Sequence, residues 1–126
     1  MSVAYVDTSL IVAMVLGEAD AVAIAQQLNR FDRVSSSNLL EAELRSVCQR
    51  ERRELDVAVL KGFQWIEPNR ALTEEITRVL LAGYVRGADC WHLATALFVA
   101  PDPTGFTFLT RDKRQRDVAA ALGFET

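Results

Sequence analysis

Val3-Ala4-Tyr5-Val6-Asp7-Thr8-Ser9, followed by the apolar run Leu10–Leu16, decides the fold. Four β-prone residues end at an acid. Two hydroxyl residues, Thr8 and Ser9, then stand where a helix N-cap is wanted, and Gly17 supplies a stop. A strand therefore leads directly into a helix, and the pattern recurs along the chain. A second helix covers about Ala19–Asn29. Arg33–Ser36 reads as a strand, with Ser36 or Ser37 capping a helix to about Arg53. Leu40, Leu44, Val47 and Cys48 stripe that helix at helical spacing. Leu55–Lys61 supplies one or two helical turns, and Phe63–Ile66 a strand stopped at Pro68. Thr73–Tyr84 is amphipathic, with Ile76, Val79, Leu80 and Tyr84 on one side. A turn at Gly87 leads into a helix over Asp89–Ala100, ended by Pro101 and Pro103. Phe106–Leu109 is the last strand and Arg111–Leu122 the last helix, with Gly123 as its C-terminal cap. Strands alternating with helices predict a three-layer α/β/α sandwich around a central parallel sheet.

The length of 126 residues predicts one domain over 1–126. Half the residues are hydrophobic and 25% are charged, which excludes disorder and a disulfide scaffold. The longest apolar run, Leu10–Leu16, falls far short of the ~18–20 residues of a membrane span. No basic region of a secretory signal precedes it. Cys48 and Cys90 lack metal-ligand spacing and read as free buried thiols in a reducing cytoplasm. Net charge is −3, from 14 basic residues (12 of them Arg) and 17 acidic ones. Taken as a total, that argues against nucleic acid. Acids gathered around a bound cation are exempt from the total, because the cation inverts the local field. Setting four such acids aside turns −3 into +1.

In an open parallel sheet, ligands bind at the carboxyl ends of strands where strand order reverses. Asp7 directly follows the first strand. Asp112 follows the last one, after Thr110 and Arg111. The plainer role for each is a helix cap. Asp89 opens an apolar helix whose N-terminus points into the protein, where it either caps or presents a carboxylate to a cleft. Glu41 and Glu43 flank the apolar stripe of their helix on opposite sides, and the helical wheel does not choose between them. Four carboxylates converging on one crevice do not all stay ionised without cations. Oxygen donors select Mg²⁺ or Mn²⁺, and paired ions of this kind clamp a phosphodiester displacement without a nucleophilic side chain. That suits a chain with one histidine.

Four blocks in order then carry a resemblance: Tyr5-Val6-Asp7-Thr8-Ser9; Ser37-Asn38-Leu39-Leu40-Glu41-Ala42-Glu43-Leu44; Gly87-Ala88-Asp89-Cys90-Trp91-His92-Leu93-Ala94-Thr95-Ala96; and Phe108-Leu109-Thr110-Arg111-Asp112-Lys113 followed by Ala119–Gly123. The chain resembles the PIN-domain nucleases, most closely the VapC-type toxins of toxin–antitoxin modules. The resemblance implies a PIN-like fold and a Mg²⁺- or Mn²⁺-dependent endoribonuclease acting on RNA. It implies a cognate antitoxin and a homodimer. It implies an acidic quartet of Asp7, Glu43, Asp89 and Asp112, with Glu43 rather than Glu41 as the helix acid. Asp7 and Asp89 would contact a first ion, and Glu43 and Asp112 a second. Thr8, Ser9 and Thr110 would orient a carboxylate or the attacking water, with Asp117 as a weaker fifth acid. Arg52–Ile66 departs from the family pattern, so no partner contacts carry over there.

Other residues read more plainly. His92, in an apolar helix, is a packing or supporting residue. Trp65 and Trp91 are core. Arg45, Arg50, Arg52 and Arg53 form a solvated cluster, whereas Arg111, Lys113, Arg114 and Arg116 form another beside Asp112 that could track phosphates, with Arg111, Lys113 and Arg114 as candidate RNA contacts. Three other functions compete: a PIN-like RNA- or metal-binding module without catalysis, an RNA-processing nuclease outside any toxin system, and a signalling receiver domain. The last lacks its phosphoacceptor, because the strand Phe63–Ile66 ends at Glu67-Pro68.

Overall fold

A computed structural model describes residues 1–126. The elements run β1 (Val3–Val6), α1 (Thr8–Val15), α2 (Ala21–Leu28), β2 (Arg33–Ser37), α3 (Leu39–Arg50), a short 3-10 helix (Val57–Gly62), β3 (Gln64–Ile66), α4 (Thr73–Ala82), α5 (Gly87–Val99), β4 (Thr107–Leu109) and α6 (Lys113–Leu122). The four strands form one parallel sheet in the order β3-β2-β1-β4, with Tyr5 paired to Ser35 on one side and to Phe108 on the other.

Alternation along β1 divides the core in two. Ala4 and Val6 face α1, α2 and α3, packing with Leu10, Ile11, Ile24, Leu40 and Leu44. Tyr5 faces the opposite layer and packs with Val79, Leu93, Leu97, Phe108 and Val118 of α4, α5, β4 and α6. Phe108 and Leu109 of β4 split between the layers in the same way. The layer change follows from topology. The chain moves outward from β1 through β2 to β3, then returns across the sheet to β4. Crossovers between parallel strands keep one hand, so reversing direction puts the connecting helices on the other face. The three-layer α/β/α architecture expected from the sequence is the one observed.

The ends of several elements differ from the reading of the sequence. Asp7, not Thr8 or Ser9, caps α1; its side chain accepts the Ser9 N–H at 3.1 Å. α5 starts at Gly87, two residues before Asp89, with Arg86 in the cap position and no side-chain cap. Asp89 therefore sits in the first turn and is not the cap. α4 stops at Ala82, because Gly83 turns fully extended at φ 167°. Gly123 ends α6 in the left-handed region at φ 107°, as its glycine predicts. Glu125 was unforeseen: it bridges to Thr107 and covers the outer edge of β4, which otherwise has no partner. Cys48 and Cys90 are both buried and free. No helix is long and apolar enough to cross a membrane.

Candidate active site

The carboxyl ends of β1 and of the edge strand β4 lie side by side, at the point where strand order reverses. Asp7 leaves β1 there, and Thr110, Arg111 and Asp112 leave β4. Glu43 approaches from α3 and Asp89 from the first turn of α5. Asp7, Glu43 and Asp89 line one open cleft of about 470 Å³, together with Thr8, Ser9, Glu18 and Arg111. Asp112 does not line it. Its carboxylate caps α6, accepting the Gln115 N–H at 2.7 Å. Glu41, the alternative to Glu43, instead pairs with Arg45 at 2.7 Å in solvent.

The Asp7 carboxylate is buried and held from three sides. Oδ2 accepts the Ser9 N–H, and the Thr110 hydroxyl lies 3.2 Å away. Oδ1 accepts from Gln115 Nε2 at 3.3 Å. Thr110 Oγ1 is also 2.7 Å from Gln115 Oε1, so its single proton serves one acceptor at a time. Gln115 Nε2 further reaches the Asp89 carbonyl at 3.3 Å. One fully buried glutamine thus bonds to groups of Asp7, Asp89, Thr110 and Asp112. Reading the sequence missed it. The available signal was position: Gln115, Val118 and Ala119 form the inward stripe of α6 at i, i+3 and i+4.

Glu43 is fixed by a second buried network. His92 has no exposed surface, and its Nε2 lies 2.8 Å from Glu43 Oε1. Thr8 Oγ1 donates to the same oxygen at 2.7 Å. A carboxylate only accepts, so Nε2 carries the ring hydrogen and Nδ1 accepts from the Tyr5 hydroxyl, 2.8 Å away. The Tyr5 oxygen in turn accepts the Ser37 N–H at 3.0 Å. Every member is satisfied, and Glu43 Oε2 is left without a protein donor. Burial opposes ionisation of Glu43, but the bonds from His92 and Thr8 outweigh it and hold its pKa below the usual glutamate range. Burial also pushes the Tyr5 hydroxyl far above its ordinary range, keeping it a donor.

Asp89 is the opposite case. No donor reaches its carboxylate. Burial raises its pKa, and the charges of Asp7, Asp112 and Glu43 raise it further against a smaller opposing effect of His92. The charges of Asp7, Asp112 and Glu43 are thus felt at Asp89, while only Asp7, Glu43 and Asp89 line the cleft. No three His, Cys, Asp or Glu side chains form a closed metal cage. The donor chemistry nevertheless fits a hard divalent ion. Such an ion keeps much of its water and needs only one or two carboxylates. An unpartnered carboxylate made unstable by its neighbours is what such an ion relieves.

The remaining candidates separate. Arg111 lines the cleft and is tied to Glu18 and Asp20 at 2.5 and 3.3 Å. Lys113 pairs with Asp117 at 2.7 Å on the exposed side of α6, away from the cleft. Arg114 lies over the Tyr84 ring, 5.4 Å from its centroid. Trp91 donates to Ser37 Oγ at 3.1 Å, and Trp65 packs against the layer of α1 to α3. Glu18, after the α1 stop, carried no signal in the sequence.

A family profile described as PIN domain matches residues 4–121. No curated protein matches the chain. The matched span runs from within β1, which leads directly into Asp7, through Gln115 and nearly all of α6. PIN domains are generally nucleases, and this chain belongs to the PIN domain family.

Proposed function

We propose that this PIN domain is a Mg²⁺- or Mn²⁺-dependent endoribonuclease and the toxin of a toxin–antitoxin pair. The observation that carries the nuclease reading is the convergence of Asp7, Glu43 and Asp89, from three separate elements, on one open cleft at the switch point of the sheet. In this reading Asp7 and Asp89 hold one divalent ion, and Glu43 and Asp112 support a second or act through water. When bound, the metal supplies an activated water and charge stabilisation at the scissile phosphate. The chain supplies the positioning. His92 and Thr8 hold one oxygen of Glu43 and leave Oε2 to face the cleft. Ser9 and Thr110 hydroxyls, 3.3 Å apart beside Asp7, orient its carboxylate or the water. Arg111 stands at the rim, within reach of a phosphate.

Two surfaces support the partner reading. Leu80, Leu81 and Tyr84 are exposed at the end of α4, next to an apolar hollow that includes Ile76 and Trp91. A homodimer would cover them. A groove lined by Met14, Leu28, Phe31, Val59 and Phe63 offers an antitoxin segment an apolar seat. Two cores sharing one sheet support reading 1–126 as one domain, and two free thiols support a cytoplasmic setting. The open geometry favours one other reading, a PIN module that binds metal or RNA without cutting.

The test is cleavage of total and structured RNA by wild type and Asp7→Asn, with Mn²⁺ and with EDTA. Cleavage that requires both the metal and Asp7 is expected. Metal binding without cleavage over a wide substrate panel would shift the assignment to the non-catalytic module. An upstream reading frame for a small DNA-binding protein would speak for the toxin role over an RNA-processing one.

A further inference from the structure

An acidic cleft repels the nucleic acid it cuts. Only the phosphate at the metal is compensated there, so the binding free energy for the flanking strand must come from a neighbouring basic surface. The structure has one surface in the right place. Across Arg111 lies a second cleft, of about 590 Å³, lined by Asp20, Gln26, Gln27 and Arg30 on the α2 side and by Thr110, Arg116 and the C-terminal Thr126 on the other, so that its three arginines outnumber its acidic groups. Arg111 belongs to both clefts, so it is the sill between them.

Three guanidinium groups meet along this path in a chain of net charge −3. Arg30 has no carboxylate partner anywhere in the molecule. Arg116 spends one nitrogen on the Thr110 carbonyl at 3.0 Å and leaves the rest of its fork exposed. Arg111 is held on Glu18 and Asp20, both solvent-facing, from which a phosphate can take it at little net cost. Gln26 and Gln27 add neutral amides that donate and accept, which suits base edges or sugar hydroxyls without demanding one sequence.

We propose that this second cleft is a binding subsite for single-stranded RNA. Backbone phosphates flanking the scissile bond cross Arg111 and lie against Arg30 and Arg116. The proposal rests on the nuclease reading for the direction of the strand. It places substrate affinity in α2 and its exit, outside the acidic blocks.

The experiment is fluorescence anisotropy of a labelled, unstructured RNA of about twelve nucleotides with the full chain in EDTA, over a salt series. Arg30→Gln should weaken binding about three- to ten-fold and reduce the slope of log K against log salt by about 0.7, the value for one phosphate contact on a single strand. Arg50→Gln, the same charge change on α3 outside both clefts, should stay within about two-fold of wild type. With Mn²⁺, Arg30→Gln should raise KM and leave kcat near wild type. Equal binding by Arg30→Gln and Arg50→Gln overturns the subsite. A wild type that binds RNA through Arg30 yet never cleaves it overturns the nuclease reading and leaves the subsite standing. A wild type that cleaves, with KM indifferent to Arg30, does the reverse.

Discussion

Tyr5→Phe deletes one oxygen and tests whether the network behind Glu43 is real. The ring stays, stacked on Phe108 with centroids 5.4 Å apart and planes 8° from parallel. Packing on that layer is therefore conserved, and only hydrogen bonding changes. Two partners lose their mate. The Ser37 N–H, donated at 3.0 Å, belongs to a fully buried residue, and His92 Nδ1, 2.8 Å from the hydroxyl, belongs to a fully buried ring. Leaving a buried polar group unmatched costs about 1–3 kcal/mol, so the pair costs about 2–6 kcal/mol. For a chain of 126 residues, each kcal/mol lowers Tm by about 4 °C, giving a loss of about 8–24 °C. Urea unfolding in EDTA and a thermal scan read this directly. The ring of His92 should also lose its fixed orientation, so Glu43 is presented less well and Mn²⁺ affinity by calorimetry should fall. A loss under about 1 kcal/mol would refute the reasoning: either the hydroxyl is not the bridge, or water replaces it.

Asp89 and Glu43 should respond to pH with opposite signs. The Asp89 pKa is raised in the fold, so its ionised form destabilises the metal-free protein above that pKa. Asp89→Asn should raise stability in EDTA at pH 7, with the gain vanishing as pH falls toward the ordinary 3.8, and it should abolish stabilisation by Mn²⁺. The Glu43 pKa is lowered, so its carboxylate stabilises the fold above the ordinary 4.5, and that contribution is lost as pH falls through the folded value. Glu43→Gln should therefore lower stability at pH 7 and narrow its deficit in acid, as urea unfolding at several pH values would record. Asp112→Ser keeps a good N-cap on α6 and removes the charge; its stability should stay within about 0.5 kcal/mol of wild type while Mn²⁺-dependent cleavage falls. A large stability loss would mean that the carboxylate does more than cap. A Cβ at Gly83 would meet Val118 Cγ2 at 2.9 Å, where α4 packs on α6, so Gly83→Ala should cost about 1–3 kcal/mol in chemical denaturation.

The layer order and the sheet were legible because they depend on period and punctuation. β1 alternates, Pro68, Pro101 and Gly123 stop their elements, and the return to β4 follows from topology. Asp7, Asp89 and Asp112 were legible as strand-end and helix-start positions, whereas Glu43 lies within its helix and choosing it over Glu41 needed the family pattern. Structure supplied the physical reason: α3 turns Glu43 to the cleft and leaves Glu41 on the other side of the apolar stripe, where it pairs with Arg45 in solvent. What the sequence hid were side chains acting across elements. Gln115 and Tyr5 are ordinary inward residues by pattern, and only the contact of α6 with β1, or of α5 with β1, gives their polar ends a task. The α1 cap was misplaced because Asp7 precedes Thr8 and Ser9 and its carboxylate accepts the Ser9 N–H, whereas α5 starts at Gly87 with no side-chain cap to signal it.

Capping and metal binding had looked like rival roles for Asp7 and Asp112, and the geometry makes them compatible. A carboxylate offers about four lone pairs, and a helix cap uses one. At Asp112 the cap engages Oδ1 and leaves Oδ2 without a protein donor; at Glu43 both donors converge on Oε1 and leave Oε2. At Asp112 the backbone cap fixes one oxygen with a bond about twice as strong as a neutral one, and the other oxygen inherits a direction. At Glu43 the side chains of His92 and Thr8 do the same, and at Asp7 the cap on Oδ2 is joined by Gln115 on Oδ1. Asp89, which nothing caps, is the acid whose ionised form the fold tolerates least. A cation arriving in the cleft would find several oxygens already aimed and one carboxylate waiting for charge relief, so its affinity should depend more on Asp89 than on the two caps. The ordering follows: Mn²⁺ affinity by calorimetry should fall further in Asp89→Asn than in Asp112→Ser, and the reverse order would mean that aiming, not charge relief, governs the site.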